Sequence, residues 1–213
     1  STQPEMIPIT TAMMLVTSRN AGVFAPHPLG KRTTRRTIER MRELLKENGA
    51  PEDILVCCDP EWVKVPVTNE IMKQCDLVIA TGGAAMVKAA YSSGTPAYGV
   101  GAGNAVMTVD QTADCKDAAH KIMLSKTGDL AAGCSCDNSL VIFEAVYDEM
   151  IAALKAEGGY LCKPEEHDRV QSAIFPTWPA DHNINRAIVA KPIGVIAELA
   201  GLSVPADTKF VMV

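Results

Sequence analysis

The sequence lacks the features of several common protein classes. No run of apolar residues reaches the length of roughly 20 residues that crosses a bilayer. Basic residues are not in excess, because 20 Lys and Arg stand against 25 Asp and Glu and give a formal net charge of −5. This balance speaks against a surface for nucleic acid or for an anionic membrane, so we predict neither partner.

The cysteines form neither a disulfide framework nor a metal site. Their number is odd, seven, and Cys57 and Cys58 are adjacent, which favours a reducing compartment over secretion. Cys134 and Cys136 have C-x-C spacing, but no second Cys or His pair with zinc-ligand spacing accompanies them. The sequence therefore predicts no metal and a cytoplasmic protein.

The chain also lacks an initiator methionine, a signal peptide, internal repeats and a low-complexity linker. It starts with Ser1-Thr2-Gln3-Pro4, so we expect it to begin within a longer protein. With 213 residues, 47% of them hydrophobic, it has enough material for one large domain or two smaller ones.

Strands alternate with helices along the whole sequence. The helices are predicted at 5–18, 33–48, 69–74, 84–92, 113–125, 145–156, 164–173 and 192–200. The strands and extended segments are predicted at 20–25, 54–58, 76–80, 105–109, 139–143, 185–189 and 209–213. This alternation predicts an α/β fold with a Rossmann-type parallel sheet. The unbroken apolar run at 76–80 is typical of a central strand that is covered on both faces.

Glycines follow two of these segments. Thr81-Gly82-Gly83 lies between a predicted strand and a predicted helix, where exposed backbone N–H groups can hold the phosphates of a dinucleotide. A tight turn without a ligand is the alternative. The segment 99–104 resembles a dinucleotide fingerprint, but a strand follows it instead of a helix, so that interpretation fails. Its glycines indicate a sharp turn or a ligand close to the backbone.

Cys134 follows a run of small residues, 127–133, which leaves its sulfur approachable. Gly133 has no side chain, so a substrate carbonyl can come close to the backbone. A thiolate there can attack an aldehyde and retain the acyl group as a thioester. The alternative is an ordinary buried cysteine. The loop is also the best domain boundary, with a nucleotide-binding domain at 1–133 and a catalytic domain at 134–213.

A series of motifs resembles the CoA-acylating aldehyde dehydrogenases. The motifs are Thr17-Ser18-Arg19-Asn20, Ala25-Pro26-His27-Pro28, Ala80-Thr81-Gly82-Gly83, 87–94, 99–104, Ser125-Lys126-Thr127, Gly158-Gly159-Tyr160-Leu161 and 196–201. This family includes acetaldehyde, succinate-semialdehyde and sulfoacetaldehyde dehydrogenases and the aldehyde domain of bifunctional aldehyde-alcohol dehydrogenases. Its members are considerably longer, so the resemblance implies a fragment, with part of a nucleotide-binding domain followed by part of a catalytic domain.

The resemblance implies roles for particular residues. Cys134 falls at the position of the nucleophile. Thr2-Gln3-Pro4 replaces the Thr-Asn-Pro of the family, so the amide of Gln3 would hold the oxyanion together with the Cys134 N–H. The additional methylene of Gln changes the geometry at that position.

The cofactor positions come from the same resemblance, which implies NAD or NADP as the oxidant. His27 and Pro28 fall where the family contacts the adenosine part. Thr81, Gly82 and Gly83 fall at the pyrophosphate, and Val100 and Gly101 are assigned to the cofactor as well.

Gly99 falls where hydrolytic aldehyde dehydrogenases carry a glutamate that activates water. Without this base, the thioester should persist until coenzyme A takes the acyl group. We therefore expect reversible oxidation of a small aldehyde to its acyl-CoA, with sulfoacetaldehyde, acetaldehyde and succinate semialdehyde as candidates.

Two alternatives remain open, a hydrolytic dehydrogenase and a nucleotide-binding or oligomer-forming fragment without activity. The family further implies a homo-oligomer, a dimer or larger, and for some members a bacterial microcompartment.

Overall fold

A computed structural model describes residues 3–101 and 103–213 of the chain. They form two compact units, which meet in sequence between residues 102 and 103. The helices of the first unit are α1 (Met6–Thr17), α2 (Lys31–Glu47), α3 (Val65–Gln74) and α4 (Ala84–Tyr91). Its strands are β1 (Gly22–Phe24), β2 (Leu55–Cys57), β3 (Val78–Thr81) and β4 (Ala97–Val100).

The second unit has the same kinds of element. Its helices are α5 (Cys115–Thr127), α6 (Tyr147–Ala156), α7 (His167–Ile174) and α8 (Ile193–Ala200). Its strands are β5 (Ala105–Val109), β6 (Asp137–Ile142), β7 (Gly159–Leu161) and β8 (Phe210–Met212). Among the residues described in the two units, no helix is both long and apolar enough to cross a membrane.

All hydrogen-bonded strand pairs of the two units are parallel. The pairs are β1–β2, β3–β4, β5–β6 and β7–β8. At least one helix lies between the two strands of each pair, as parallel connections require. The predicted α/β class is thus confirmed. The predicted functional boundary at 133/134 lies inside the second compact unit, and it stays a prediction.

The first unit has two small cores. Ala12, Ile38 and Leu55 are fully buried between α1, α2 and β2. Around β3, Val78 and Ala80 are buried, whereas Ile79 between them is 50% exposed. Within the described part of the chain, β3 therefore has one covered face, where the apolar run had predicted two.

The second unit has a larger core. Its first cluster consists of Val109, Cys115, Ala119, Ile122, Met123, Met150, Leu154 and Phe210. A second cluster around α7 and α8 consists of Cys162, Val170, Ala173, Ala197, Ala200 and Leu202. Helix α5 begins at Asp114, whose carboxylate accepts hydrogen bonds from the N–H groups of Lys116 and Asp117 at 3.0 and 3.1 Å.

Three segments differ from the sequence prediction. Strands β4 and β7 were not predicted, because each contains glycine, which has a weak intrinsic preference for strands and is held here by its pairing partner. The extended segment predicted at 185–189 was wrong. Asn185 folds it into turns, because its carbonyl accepts the Ile188 N–H at 3.2 Å and its side chain accepts the Ala187 N–H at 3.0 Å.

Candidate active site

The first candidate residues lie at the carboxyl ends of β3 and β4. Thr81 ends β3 and is paired with Val100 of β4. The Gly82 N–H donates to the Val100 carbonyl at 3.0 Å, so the predicted residues Thr81, Gly82 and Val100 are brought together. In parallel α/β sheets this end of the strands is the usual place for a ligand.

Gly83 is the N-cap of α4, and its backbone is extended, with φ −69° and ψ 167°. Its carbonyl accepts the N–H groups of Met86 and Val87 at 3.0 and 3.2 Å. No side chain caps this helix. The amino end of α4 therefore presents its first N–H groups on a glycine turn, which is the arrangement that suits a phosphate.

The glycines of this turn are not required by the packing of the described residues. A Cβ at Gly83 would meet nothing within 4 Å, and one at Gly82 would only touch Met86, at 3.5 Å. At Gly101 the nearest atom would be Val87 Cγ2 at 3.9 Å. The space at these positions is compatible with a bound dinucleotide and with a tight turn without a ligand, so the pyrophosphate site stays a prediction.

His27 and Pro28 lie in the exposed turn that follows β1 and precedes α2. The Leu29 N–H donates to His27 Nδ1 at 3.2 Å, and the Gly30 N–H donates to the His27 carbonyl at 2.9 Å. With Nδ1 as acceptor, the neutral imidazole carries its proton on Nε2. This turn belongs to the β1–β2 pair, whereas Thr81 belongs to the β3–β4 pair.

Gln3 is the first described residue and precedes α1. Its carbonyl accepts the Ile7 N–H at 3.5 Å. Its motif partner Thr2 and Ala102 of the second glycine segment lie outside the described residues. Gln3 belongs to the first compact unit and Cys134 to the second, so their joint role at the oxyanion stays a prediction.

The segment before Cys134 has an unusual backbone. After α5 ends, Asp129, Leu130 and Ala131 have φ values of 49°, 53° and 57°, in the left-handed region. That conformation costs roughly 1–2 kcal/mol for a residue with a side chain. Sequence reasoning did not detect this turn, because glycine, the usual signal of a positive φ, is absent at these three positions.

Cys134 lies at the tip of the next turn. The Cys136 N–H donates to the Gly133 carbonyl at 3.2 Å, and Cys134 and Ser135 form the exposed middle of that turn. Cys134 is the exposed cysteine of the seven, while Cys136 is buried, at 8% exposure. The arrangement leaves the sulfur at position 134 approachable and buries the thiol at position 136.

Two hydrogen bonds join the residues before this loop to the first residues of β6, which follow it. The Asp137 N–H donates to Ser125 Oγ at 3.2 Å, and Lys126 Nζ donates to Asn138 Oδ1 at 2.7 Å. Burial lowers the pKa of the Lys126 ammonium, while the nearby Cys136 and Asp137 act in the opposite direction. A partly desolvated cation thus lies at the base of the cysteine loop.

A cavity of about 410 Å³ adjoins the same loop within the second unit, and no sequence pattern predicts it. Lys126, Thr127, Leu130 and Ala131 line one side. The other sides come from 184–196, α7 and β8, and they add Lys191 and Lys209. The cavity therefore combines apolar lining residues with three lysines.

Gly99 lies in regular pairing with Ala80 in the middle of the β3–β4 ladder. It makes no sharp turn, since its φ lies outside the left-handed region. The group close to its backbone is the Tyr91 side chain, whose Oη accepts the Gly99 N–H at 3.0 Å. For the rest of the segment 99–104, which includes the undescribed Ala102, the sharp turn and the ligand close to the backbone both stay predictions.

No group of three or more His, Cys, Asp or Glu side chains in residues 3–101 and 103–213 is arranged to hold a metal ion.

The comparisons with known proteins agree with the motifs. The model of the family described as "Aldehyde dehydrogenase family" matches residues 3–166. A sulfoacetaldehyde dehydrogenase from an Acholeplasma species is 39% identical over 212 residues, which are 100% of this chain and 43% of the relative. The predicted resemblance is therefore confirmed.

Solved structures give the same result. An acetylating aldehyde dehydrogenase from Geobacillus thermoglucosidasius matches with a TM-score of 0.86 and 37% identity, over 99% of this chain and 46% of that one. A propionaldehyde dehydrogenase from Rhodopseudomonas palustris, with bound CoA and an acylated cysteine, matches with a TM-score of 0.83 and 28% identity. The match covers 99% of this chain and 47% of that one. This chain spans about half the length of each of these three relatives.

Proposed function

Because the chain belongs to the aldehyde dehydrogenase family, we propose that it carries the cysteine and cofactor sites of a CoA-acylating enzyme. The proposed reaction oxidises a small aldehyde to its acyl-CoA with NAD or NADP. The single observation that supports it most is the exposed Cys134 at the tip of a turn. A propionaldehyde dehydrogenase to which this chain is similar was solved with bound CoA and an acylated cysteine, which supports the proposal.

The reaction begins when the Cys134 thiolate attacks the aldehyde carbon and forms a thiohemiacetal. The Cys134 N–H and the Gln3 amide are proposed to stabilise the oxyanion. Bound NAD(P)+ would supply the hydride acceptor, which leaves a thioester on Cys134. The CoA sulfur then attacks this thioester, the bond to Cys134 breaks, and acyl-CoA leaves with the thiolate restored.

The cofactor is proposed to lie on the first unit. The amino end of α4, with Thr81, Gly82 and Gly83, would hold the pyrophosphate, and Val100 and Gly101 would line the adjacent strand end. His27 and Pro28 would contact the adenosine part. The open space at Gly82, Gly83 and Gly101 is compatible with this assignment.

Thiolysis in place of hydrolysis follows from Gly99, which offers no base to activate water. CoA is therefore proposed as the acyl acceptor. The proposed homo-oligomer and the cytoplasmic or microcompartment location follow from the family resemblance alone.

For the substrate, we propose a small aldehyde with an anionic group, such as sulfoacetaldehyde or succinate semialdehyde. Three lysines line the cavity beside the cysteine loop and favour a negative charge there, with acetaldehyde as the neutral comparison. A relative named sulfoacetaldehyde dehydrogenase fits this preference. An anionic aldehyde should give a higher kcat/KM than acetaldehyde. Lys126→Met should reduce this preference, measured as the kcat/KM of the anionic aldehyde divided by that of acetaldehyde.

The test is CoA-dependent formation of NADH or NADPH by the 213-residue chain. Cys134→Ala should abolish it, and Cys136→Ala is the matched control that should retain most of it. Undiminished activity of Cys134→Ala would refute the proposal. Steady turnover to the free acid without CoA would favour a hydrolytic enzyme, and cofactor binding without turnover would favour a binding module.

A further inference from the structure

The turns that follow β1 and β2 lie side by side at one edge of their sheet. The two strands are parallel, and the Cys58 N–H donates to the Phe24 carbonyl at 2.8 Å, which continues their ladder beyond β2. Lys31 directly follows the turn that contains His27, and its Nζ donates to the Pro60 carbonyl in the second turn at 2.7 Å. The proposed adenosine contact at His27 therefore has the turn after β2 as its neighbour.

The turn after β2 carries a fixed carboxylate, that of Asp59. Its Oδ1 accepts the Glu61 N–H at 3.0 Å, and its Oδ2 accepts a hydrogen bond from the Arg35 guanidinium of α2. These contacts, the Glu61 N–H first, lower the pKa of Asp59, so the carboxylate is charged at neutral pH. Since 47% of the side chain is exposed and each oxygen can accept a further hydrogen bond, the group is open to a ligand.

Arg35 and Lys31, the cations that act on this carboxylate, are also engaged in other contacts. Arg35 Nε donates to Glu39 Oε1 at 2.8 Å, and the Lys31 ammonium donates to the Pro60 carbonyl. The two cations and the two carboxylates balance each other in charge. A phosphate placed beside Asp59 would therefore meet a negative charge, while the guanidinium that could bind it is shared between two carboxylates.

We propose that Asp59 determines the choice between the two cofactors and selects NAD over NADP, a proposal that rests on the adenosine site of the proposed function. In dinucleotide-binding α/β folds, an acidic side chain accepts the ribose 2′-hydroxyl of NAD, whereas an Arg accommodates the 2′-phosphate of NADP. Asp59 offers the carboxylate, and its bond to Arg35 keeps that guanidinium from a phosphate. NADP brings a 2′-phosphate to the carboxylate that NAD meets with a hydroxyl, and the like charges repel each other.

Binding of the two cofactors to the 213-residue chain tests the proposal, with Kd measured by isothermal titration calorimetry. The unmutated chain should bind NAD+ at least about tenfold more tightly than NADP+. Asp59→Asn removes the charge and releases Arg35, so the Kd for NADP+ divided by the Kd for NAD+ should fall at least about tenfold. Asp59→Asn with Arg35→Met should lose most of the affinity for NADP+ that Asp59→Asn gains.

Asp53→Asn is the matched control, because Asp53 forms the corresponding ion pair before β2, with Arg42 of α2 at 2.7 Å. This variant should keep the unmutated ratio of the two Kd values. An unchanged ratio in Asp59→Asn would overturn the proposal. Binding of NADP+ by the unmutated chain as tightly as NAD+ would also overturn it and would point to the exposed cations Arg32 and Arg36.

The same titration separates this inference from the proposed function. If the chain binds neither cofactor, the proposed cofactor site is refuted and the selectivity of Asp59 with it. If NAD+ binds with the predicted preference but no CoA-dependent turnover follows, the proposed reaction fails, whereas the role of Asp59 is supported.

Discussion

Cys134 and Cys136 are two residues apart, yet one turn leaves Cys134 exposed and buries Cys136 at 8% exposure. The hydrogen bond from the Cys136 N–H to the Gly133 carbonyl produces this difference, because it turns Cys134 outward at the tip. The two thiols therefore differ in access although they share one loop.

Alkylation should follow this difference. With limiting iodoacetamide at pH 8, Cys134 should be modified first, and Cys136 only after unfolding. Cys57 should also react slowly, because burial raises its pKa to about 11. Peptide mass spectrometry gives the order, with Cys136→Ala as the control that should not change the rate at Cys134. Faster modification of Cys136 than of Cys134 would contradict a turn that exposes Cys134 and buries Cys136.

The stability of the second unit should depend on pH through Glu166. This carboxylate is buried and accepts hydrogen bonds from the Lys163 N–H at 2.9 Å and the Tyr160 hydroxyl at 3.0 Å. The Lys163 N–H, more than the Tyr160 hydroxyl and the nearby Arg169, holds its pKa below the usual range. The stabilisation is therefore complete above the unfolded pKa of about 4.3 and is lost as the pH falls through the lower folded pKa.

Glu166→Gln should therefore lower Tm at pH 7, and its deficit should shrink as the pH is lowered below about 4. The matched control is Glu165→Gln, which changes an exposed neighbour and should leave Tm close to that of the unmutated chain. A deficit that stays constant from pH 7 to pH 3 would show that the charge of Glu166 plays no part.

The left-handed turn before Cys134 should be relieved by glycine. Ala131 has φ 57°, which costs roughly 1–2 kcal/mol. Glycine removes that cost, but it raises the conformational entropy of the unfolded chain, which lowers stability by about 0.4–1 kcal/mol. Ala131→Gly should then stabilise the chain by up to about 1.6 kcal/mol, which corresponds to a Tm rise of at most roughly 3–6 °C.

Ala132 provides the matched control for this change. Its φ of −72° and ψ of −20° suit alanine, so Ala132→Gly should destabilise the chain by about 0.5–1 kcal/mol. Thermal unfolding of both variants measures the difference. If both substitutions changed Tm in the same direction, the left-handed geometry at Ala131 would be contradicted.

The sequence predicts elements well where local pattern and tertiary structure agree. Strand β5 has the predicted bounds, Ala105–Val109, and α1 and α4 differ from prediction by at most one residue at each end. Strand β4 was not predicted because it depends on tertiary structure. The partner strand β3 pairs Ala80 with Gly99, whereas Gly99 itself has little strand preference. Asn185 shows the opposite case, where side-chain bonds to the backbone turn an apolar segment.

The site shows the same division. A glycine turn after a strand is visible in the sequence, and so is a cysteine among small residues. The close approach of Val87 and Tyr91 to Gly99 joins residues eight or more apart through the packing of α4 on β4, which no local pattern shows. The cavity at Lys126 likewise gathers residues from distant segments, up to Val213.

The central claim is that Cys134 becomes acylated, and the most direct measurement is the site of the adduct after incubation with acetyl-CoA. Transfer of the acetyl group from the CoA sulfur to Cys134 needs no nicotinamide cofactor. Fragmentation of the tryptic peptide that spans 127–155 distinguishes Cys134 from Cys136. We predict one acetyl group on Cys134, absent from Cys134→Ala and retained in Cys136→Ala. An acetyl group on another cysteine, or no adduct at all, would contradict the account.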